Sequence, residues 1–453
     1  MSQRFDAVVI GAGPAGEVAA SRLPKLGLRT ALVERELVGG ECAYWACIPS
    51  KTLLRPPEVR SEARHAAGLG DPEQRWREIV AYRDYMTRSL DDAGAVKGYE
   101  DYGVDVYRGE ARITGPGRIE VNNDELAAER IVIATGSDPS IPEIEGLEEA
   151  GYWTNREATQ LTEVPDDVVV LGGGPVGIEL GQMLRRYGAE VTMVQAAERL
   201  IDREDPAVGE LIAAALGQEG IELRLGRKAA AVRSENGARV VELEDGEELR
   251  AAELLVATGR RPRAADLGLE LLGVEPDEHG AIAVDERCRV ADGVWAIGDV
   301  TGVSLFTHVG KYQARVAVDD IAGREPRADY RSIPRVVFSD PEIAAVGLTS
   351  EGARERGIDI LEGRADLMRI ARTETYGSDL GGELGVIADR ERRVLVGAWA
   401  VGPLAGEWIH QAVLAIKAEI PIEVLRDTVA QFPTFSEAYL SAIEDLGAIP
   451  LAI

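Results

Sequence analysis

Two stretches of this chain repeat one pattern, and that pattern dictates a strand–turn–helix–strand arrangement in each. Residues 5–10 form a largely apolar run, as a strand buried on both faces requires. Gly11, Ala12, Gly13, Pro14, Ala15 and Gly16 follow, then a helical run from Glu17 to Leu26 and a second apolar run, Thr30 to Val33, ending in Glu34. Val168 to Leu171 begin the same order again. Gly172, Gly173, Gly174, Pro175, Val176 and Gly177 come next, then a helical segment, then Val191 to Val194 ending at Gln195. In such a unit the first glycine permits the tight turn and the second lets backbone approach a pyrophosphate. The third lets helix pack on strand, and the anion sits on the helix N-terminus. Glu34 is placed to accept from ribose hydroxyls. Two fingerprints in one chain imply two dinucleotides.

Each fingerprint is followed downstream by an apolar strand ending in Ala-Thr-Gly: residues 131–133 before Ala134, Thr135 and Gly136, and residues 254–256 before Ala257, Thr258 and Gly259. A chain of 453 residues holds two to four domains. A Pro/Gly-rich link between residues 139 and 154 marks a boundary. From about residue 331 the pattern turns to mixed strand and helix. The expected organisation is therefore α/β: 1–150 and 269–330 as two parts of one Rossmann-like domain, 151–268 as a second, and 331–453 as a C-terminal α+β domain.

Between the first fingerprint and a long helical stretch lies Gly39-Gly40-Glu41-Cys42-Ala43-Tyr44-Trp45-Ala46-Cys47-Ile48-Pro49-Ser50-Lys51. Five helical residues would part the two alpha carbons by roughly 8–9 Å, beyond an unstrained disulfide. If the sulfurs bond, Cys42 must occupy an irregular turn, with the helix starting near Cys47. A thiol at a helix N-terminus ionises more easily, which suits a reactive Cys47. The third cysteine, Cys288, reads as a small buried residue. One cysteine pair in a chain with no secretory leader or apolar run of membrane length points to redox chemistry in the cytoplasm rather than a secreted framework. The formal net charge of −28 argues against nucleic acid and anionic membrane as partners.

Taken in this order, the motifs resemble those of the flavoprotein pyridine nucleotide-disulfide oxidoreductases, the family of lipoamide dehydrogenase, glutathione reductase and mercuric reductase. The resemblance runs from residue 5 to about 440. It implies FAD at the first fingerprint, NAD(P)H at the second, a redox-active Cys42–Cys47 disulfide and a homodimer built by the C-terminal domain. It places Gly40, Ala111, Thr135, Gly136, Asp299 and Thr307 with Gly11, Gly13, Pro14, Ala15, Gly16 and Glu34 about the FAD. Gly172, Gly174, Val176, Gly177, Gln195 and Gly259 fall to the pyridine nucleotide. It makes Cys47 the thiol against the flavin and Cys42 the thiol that exchanges with an acceptor disulfide. Lys51 takes the place of a lysine near the flavin, Glu179 that of its carboxylate partner. No metal site is assigned.

Three departures qualify the resemblance. Relatives carry His-Pro-Thr near the C-terminus, followed shortly by glutamate; this chain reads Phe432-Pro433-Thr434, with Glu437 retained. A phenyl ring accepts no proton, and loss of a positioned base typically costs about 10²–10⁴-fold. Tyr44 and Trp45 stand between the cysteines, where they either pack or stack a flat acceptor. Gln195 replaces the usual acid, with no arginine at 196–198, which favours NADH over NADPH without excluding it. The closing residues 448–453 lack the cysteine pair of mercuric reductases. The expected activity is electron transfer from NAD(P)H through FAD and the cysteines to a small disulfide. Two alternatives stand beside it: a quinone or dye reductase with the cysteines subsidiary, and a non-catalytic flavoprotein subunit.

Overall fold

The computed structural model describes residues 3–377 and 381–447; the C-terminal stretch 448–453 lies outside them. The chain divides into two compact units, and each is interleaved in sequence. One comprises Met1–Thr52, Val80–Ser140 and Gly259–Asp329; the other comprises Leu53–Ile79, Ile141–Thr258 and Tyr330–Ile453.

The first unit is organised on a sheet of six strands in the order Arg289–Ala291, Val294–Ala296, Asp124–Ile133, Gln3–Ile10, Thr30–Glu34, Val104–Arg108. A hairpin, Ala111–Gly115 with Arg118–Val121, is joined to it through Asp124–Ile133. The central pairings are parallel, with Ala7 opposite Thr30 and Ile10 opposite Ile133. Both faces are covered, which is why these strands read as unbroken apolar runs. Val8, Ile10, Val33 and Ile131 pack to one side, and Ala7, Val9, Leu32 and Val132 to the other. The second side is closed by the helices Pro14–Arg22 and Thr307–Ile321, which pack on each other. Cys288 is fully buried there.

The second unit repeats the motif in a four-stranded parallel sheet: Glu222–Leu225, Glu190–Gln195, Asp167–Leu171, Glu253–Val256. It adds a three-stranded antiparallel sheet over 229–251 and a five-stranded antiparallel sheet over 334–402. Helices His410–Lys417 and Glu437–Asp445 pack on the five-stranded sheet.

The long helical stretch expected after the cysteine segment, residues 58–95, is helical only in part. The Cys47–His65 helix stops at His65, and a second helix, Trp76–Met86, begins after a Gly-rich, charged interval. Trp76 and Ile79 pack as their spacing suggests, with the Trp76 indole donating to the Thr162 carbonyl at 2.7 Å. Met86 faces solvent. No described helix is long and apolar enough to cross a membrane.

Candidate functional site

The two fingerprints fold alike. At Gly11 and Gly172 the backbone turns with φ of +101° and +113°, where an L side chain is strained. A Cβ at Gly16 would collide with the Gly11 carbonyl oxygen, and one at Gly177 with that of Gly172. Only hydrogen lets each helix come this close to the turn before it. Gly13 and Gly174 meet nothing within 4 Å on the side a Cβ would occupy. Both are N-caps without a side-chain cap, so the first N–H groups of Pro14–Arg22 and Pro175–Arg186 remain for a ligand. Gly40 sets its backbone against Gly13; a Cβ there would lie 2.8 Å from the Gly13 alpha carbon. Uncapped helix starts behind glycine turns fit the pyrophosphate of a dinucleotide in both places.

The residues at the ends of the second strands also correspond. The Glu34 carboxylate accepts from Ala12 N at 2.7 Å and from Glu36 N at 2.8 Å. The Gln195 side-chain oxygen accepts from Gly173 N at 3.0 Å, and its amide donates to the Arg199 carbonyl at 3.4 Å. Each side chain therefore braces its own glycine turn, a role the sequence reading did not assign. Val176 is half-buried in the second fingerprint helix.

The remaining predicted FAD residues lie in the first unit. Ala111 opens the hairpin strand, and Gly136 turns with φ of +75°. Thr135 donates its hydroxyl to the Arg263 carbonyl at 2.6 Å. Gly259, expected with the pyridine nucleotide, also falls in this unit, where it begins the last segment and its carbonyl accepts from Ser140 N at 2.9 Å. Asp299, buried so that its carboxyl is pushed above the usual carboxylate range, accepts from the Ser137 hydroxyl at 2.6 Å. Arg260 holds Ser137 in turn, through its hydroxyl at 2.8 Å and its carbonyl at 2.6 Å. Neither Ser137 nor Arg260 was singled out from the sequence, because nothing local marks them.

The cysteine segment corrects one expectation. Cys42 is not in an irregular turn but in a short helix, Gly40–Tyr44. That helix ends at Trp45, whose φ of −133° and ψ of −5° break the spiral, and a new helix starts at Cys47. The interruption, rather than an irregular Cys42, frees the two thiols from helical spacing and brings them into hydrogen-bond contact. The contact divides the protons unequally. Cys47 is lowered to about 6, chiefly by the Cys42 thiol, with help from Thr307 and the Lys51 charge against burial. Cys42 is pushed up by its bond to Cys47 and by burial, and Thr307 and Lys311 oppose that rise. Lys51 lies one helical turn beyond Cys47. Thr307, first residue of its helix, sets its hydroxyl 3.5 Å from the Cys47 sulfur. Lys311 was missed in the sequence; its position one turn beyond Thr307 and the scarcity of lysine were the available signals.

Tyr44 is buried and donates its hydroxyl to the Val38 carbonyl at 3.1 Å, so it packs. Trp45 stays partly accessible, its ring 5.8 Å from that of Tyr44. In the second unit, the Glu179 carboxylate is buried and accepts from Phe338 N at 3.0 Å. Glu437 accepts from Thr434 N at 3.0 Å, and Phe432 is 75% exposed.

The comparisons agree with this geometry. The model of the pyridine nucleotide-disulphide oxidoreductases matches residues 5–320, and that of their dimerisation domain matches 333–443. The chain is 38% identical to a dihydrolipoyl dehydrogenase of Thermus scotoductus over 98% of its own length and 97% of the relative's. It is 32% identical to a mercuric reductase of Bacillus cereus over 97% of its length and 71% of that protein. Among solved structures, the Cu(II) complex of the HOCl-induced flavoprotein disulfide reductase RclA of Escherichia coli superposes with a TM-score of 0.86. Identity is 28%, with 98% and 99% of the two chains covered. LpdA of Mycobacterium tuberculosis superposes at 0.87 with 26% identity, covering 98% of this chain and all of that one. The chain belongs to the pyridine nucleotide-disulfide oxidoreductases, enzymes that bind FAD and a pyridine nucleotide.

Proposed function

We propose that this enzyme passes electrons from a pyridine nucleotide through FAD to a Cys42–Cys47 disulfide and on to a small disulfide acceptor. The observation that carries the reading is the thiol contact, with Cys47 lowered to about 6 and Cys42 raised. A pair of that kind has one stable thiolate and one sulfur that holds its proton until it exchanges. FAD, when bound, supplies two-electron transfer between nicotinamide and sulfur. Gly11, Gly13, Pro14, Ala15, Gly16 and Gly40 shape its phosphate cradle; Glu34, Ala111, Thr135, Gly136, Asp299 and Thr307 complete its site. Lys51 supports the Cys47 thiolate. Gly172, Gly174, Val176, Gly177, Gln195 and Gly259 serve the pyridine nucleotide, with NADH preferred because no arginine at 196–198 awaits a 2′-phosphate.

Anaerobic addition of NADH, followed by thiol counting, tests the reading. Two new thiols per chain are expected, both lost in Cys42→Ser. No new thiols in an FAD-loaded enzyme would defeat it.

Phe432 favours a second reading, in which a quinone takes the electrons and the cysteines are subsidiary. Quinone turnover that survives Cys42→Ser while disulfide turnover stops would establish that branch. If the absent histidine limits disulfide turnover, Phe432→His raises it by about 10-fold or more; no gain at all assigns Phe432 a different part. Glu437, braced on Thr434, is the group that would hold the introduced imidazole.

A further inference from the structure

Asp299 is a carboxylate in a place where a carboxylate is costly. Gly298, with φ of +79°, sets its backbone against Ala15; a Cβ there would lie 3.1 Å from the Ala15 methyl. Ala15 is in the first turn of helix Pro14–Arg22, whose uncapped N–H groups suit a pyrophosphate. Asp299 follows Gly298 directly, so it stands close to a site shaped for anions, where like charges repel. The fold holds it there from two sides. Buried Gln313 accepts from Gly298 N at 2.7 Å and donates to the Thr301 hydroxyl at 3.1 Å, and that hydroxyl donates to the Gly298 carbonyl at 2.8 Å. This fixes the backbone of the turn Gly298–Thr301.

The side chain is held separately. Strand Ser137–Pro139, directly after the first Ala-Thr-Gly turn, pairs antiparallel with Arg260–Pro262, directly after the second. Arg260 lies opposite Pro139, so Arg260 and Ser137 share one face of the pair as diagonal neighbours. The guanidinium donates to the Ser137 hydroxyl oxygen at 2.8 Å and to the Ser137 carbonyl at 2.6 Å. The hydroxyl donates in turn to Asp299 Oδ2 at 2.6 Å. A hydroxyl has one proton; with Arg260 on its acceptor side, that proton is committed to Asp299. Among the described residues no second donor reaches this carboxylate, and Oδ1 stays unengaged. Burial raises the carboxyl, while the Ser137 hydrogen bond and the Arg260 charge oppose that rise. All of these residues belong to the first unit.

We propose that Ser137 and Arg260 are positioning residues for FAD, which together aim Asp299 so that Oδ1 accepts from a hydroxyl of the bound nucleotide. The inference rests on the assignment of Asp299 to the FAD site in the reading above. Arg260 acts through Ser137, and Ser137 through Asp299.

The test is FAD binding to the apoenzyme, followed by flavin fluorescence at neutral pH. Ser137→Ala leaves Asp299 without its donor and is expected to raise the FAD Kd by about 10-fold. Arg260→Met, which releases the Ser137 proton to other acceptors, should raise it comparably. Arg260→Lys keeps one charged donor without the fork and should raise it less. Simple damage to the strand pair would weaken FAD whatever stands at 299, so a double-mutant cycle decides between the two. With Asp299→Ala in place, adding Ser137→Ala or Arg260→Met is expected to cost less than about twofold more. Equal losses in both backgrounds overturn the proposal, as does a folded Ser137→Ala apoenzyme that binds FAD like the parent. Asp299→Ala alone judges the underlying assignment: unchanged FAD affinity removes Asp299 from the FAD site. A loss there with none in Ser137→Ala and Arg260→Lys defeats this inference and leaves the assignment standing.

Discussion

At Cys47 the structure makes a statement that one titration can check. Four groups favour its anion: the Cys42 thiol, the Thr307 hydroxyl, the Lys51 ammonium and the Cys47 backbone N–H. Reduced enzyme should therefore show one thiolate, by ultraviolet absorbance, that appears as pH rises through about 6. A second, from Cys42, should appear only well above the ordinary thiol range. Cys42→Ala removes the strongest of those groups, so the Cys47 midpoint should climb toward the ordinary value near 8.5. Two overlapping titrations in the parent enzyme would contradict the contact. The glycines offer a second check at this scale. Gly16→Ala and Gly177→Ala each drive a methyl into a carbonyl oxygen. Each should lower stability by about 1–3 kcal/mol in urea melts, and Gly16→Ala should also release FAD.

Among the elements, strand Glu342–Gly347 carries a carboxyl in an unusual setting. Glu342 accepts from Gly406 N at 2.7 Å, at the start of the short helix Ala405–Trp408. Burial raises its pKa to about 7, and the charges of Glu58, Glu407 and Glu179 push the same way against that hydrogen bond. The folded protein thus holds a proton that the unfolded chain, near 4.5, gives up earlier. Stability from this group is complete below about 4.5 and fades as pH rises through about 7. Glu342→Gln keeps an acceptor for Gly406 and removes the titration. Its melting temperature should match the parent's in mild acid and exceed it above neutrality, by on the order of 1 kcal/mol in stability. An unchanged pH slope would show that other groups dominate. The elements also show where sequence patterns reach and where they stop. The fingerprint strands and helices were legible because both faces of each strand are apolar and the glycines sit at fixed offsets. The stop at His65 was written in the sequence too, in Gly68, Gly70 and Pro72, and a reading by polarity alone passes over those breakers.

For the whole molecule, the dimerisation-domain match and the surface of the 331–453 region agree. Val429 is 92% exposed and Phe432 75%, with Leu414 and Val424 also out in solvent in the single chain. Exposed apolar side chains on a dimerisation domain fit an interface. The enzyme should sediment at about twice its 48.7 kDa chain mass, and Val429→Asp should drive it toward the monomer. A parent enzyme that remains monomeric at micromolar concentration would remove the self-association. With a formal charge of −28, association should strengthen with added salt as repulsion between copies is screened.

Local order was enough to determine the two nucleotide-binding motifs, the cysteine segment between them and the change of character near residue 331. Each of these depends on residues within about one turn or one strand of their neighbours, so their spacing alone carries the information. Only the tertiary structure decided that Cys42 sits in a short helix ended at Trp45 rather than in an irregular turn, that Glu34 and Gln195 brace their own glycine turns, and that Thr307 meets the Cys47 sulfur. Those outcomes depend on helix packing and on burial between residues far apart in the chain, and no local periodicity records which distant side chain a fold will bring to a given sulfur.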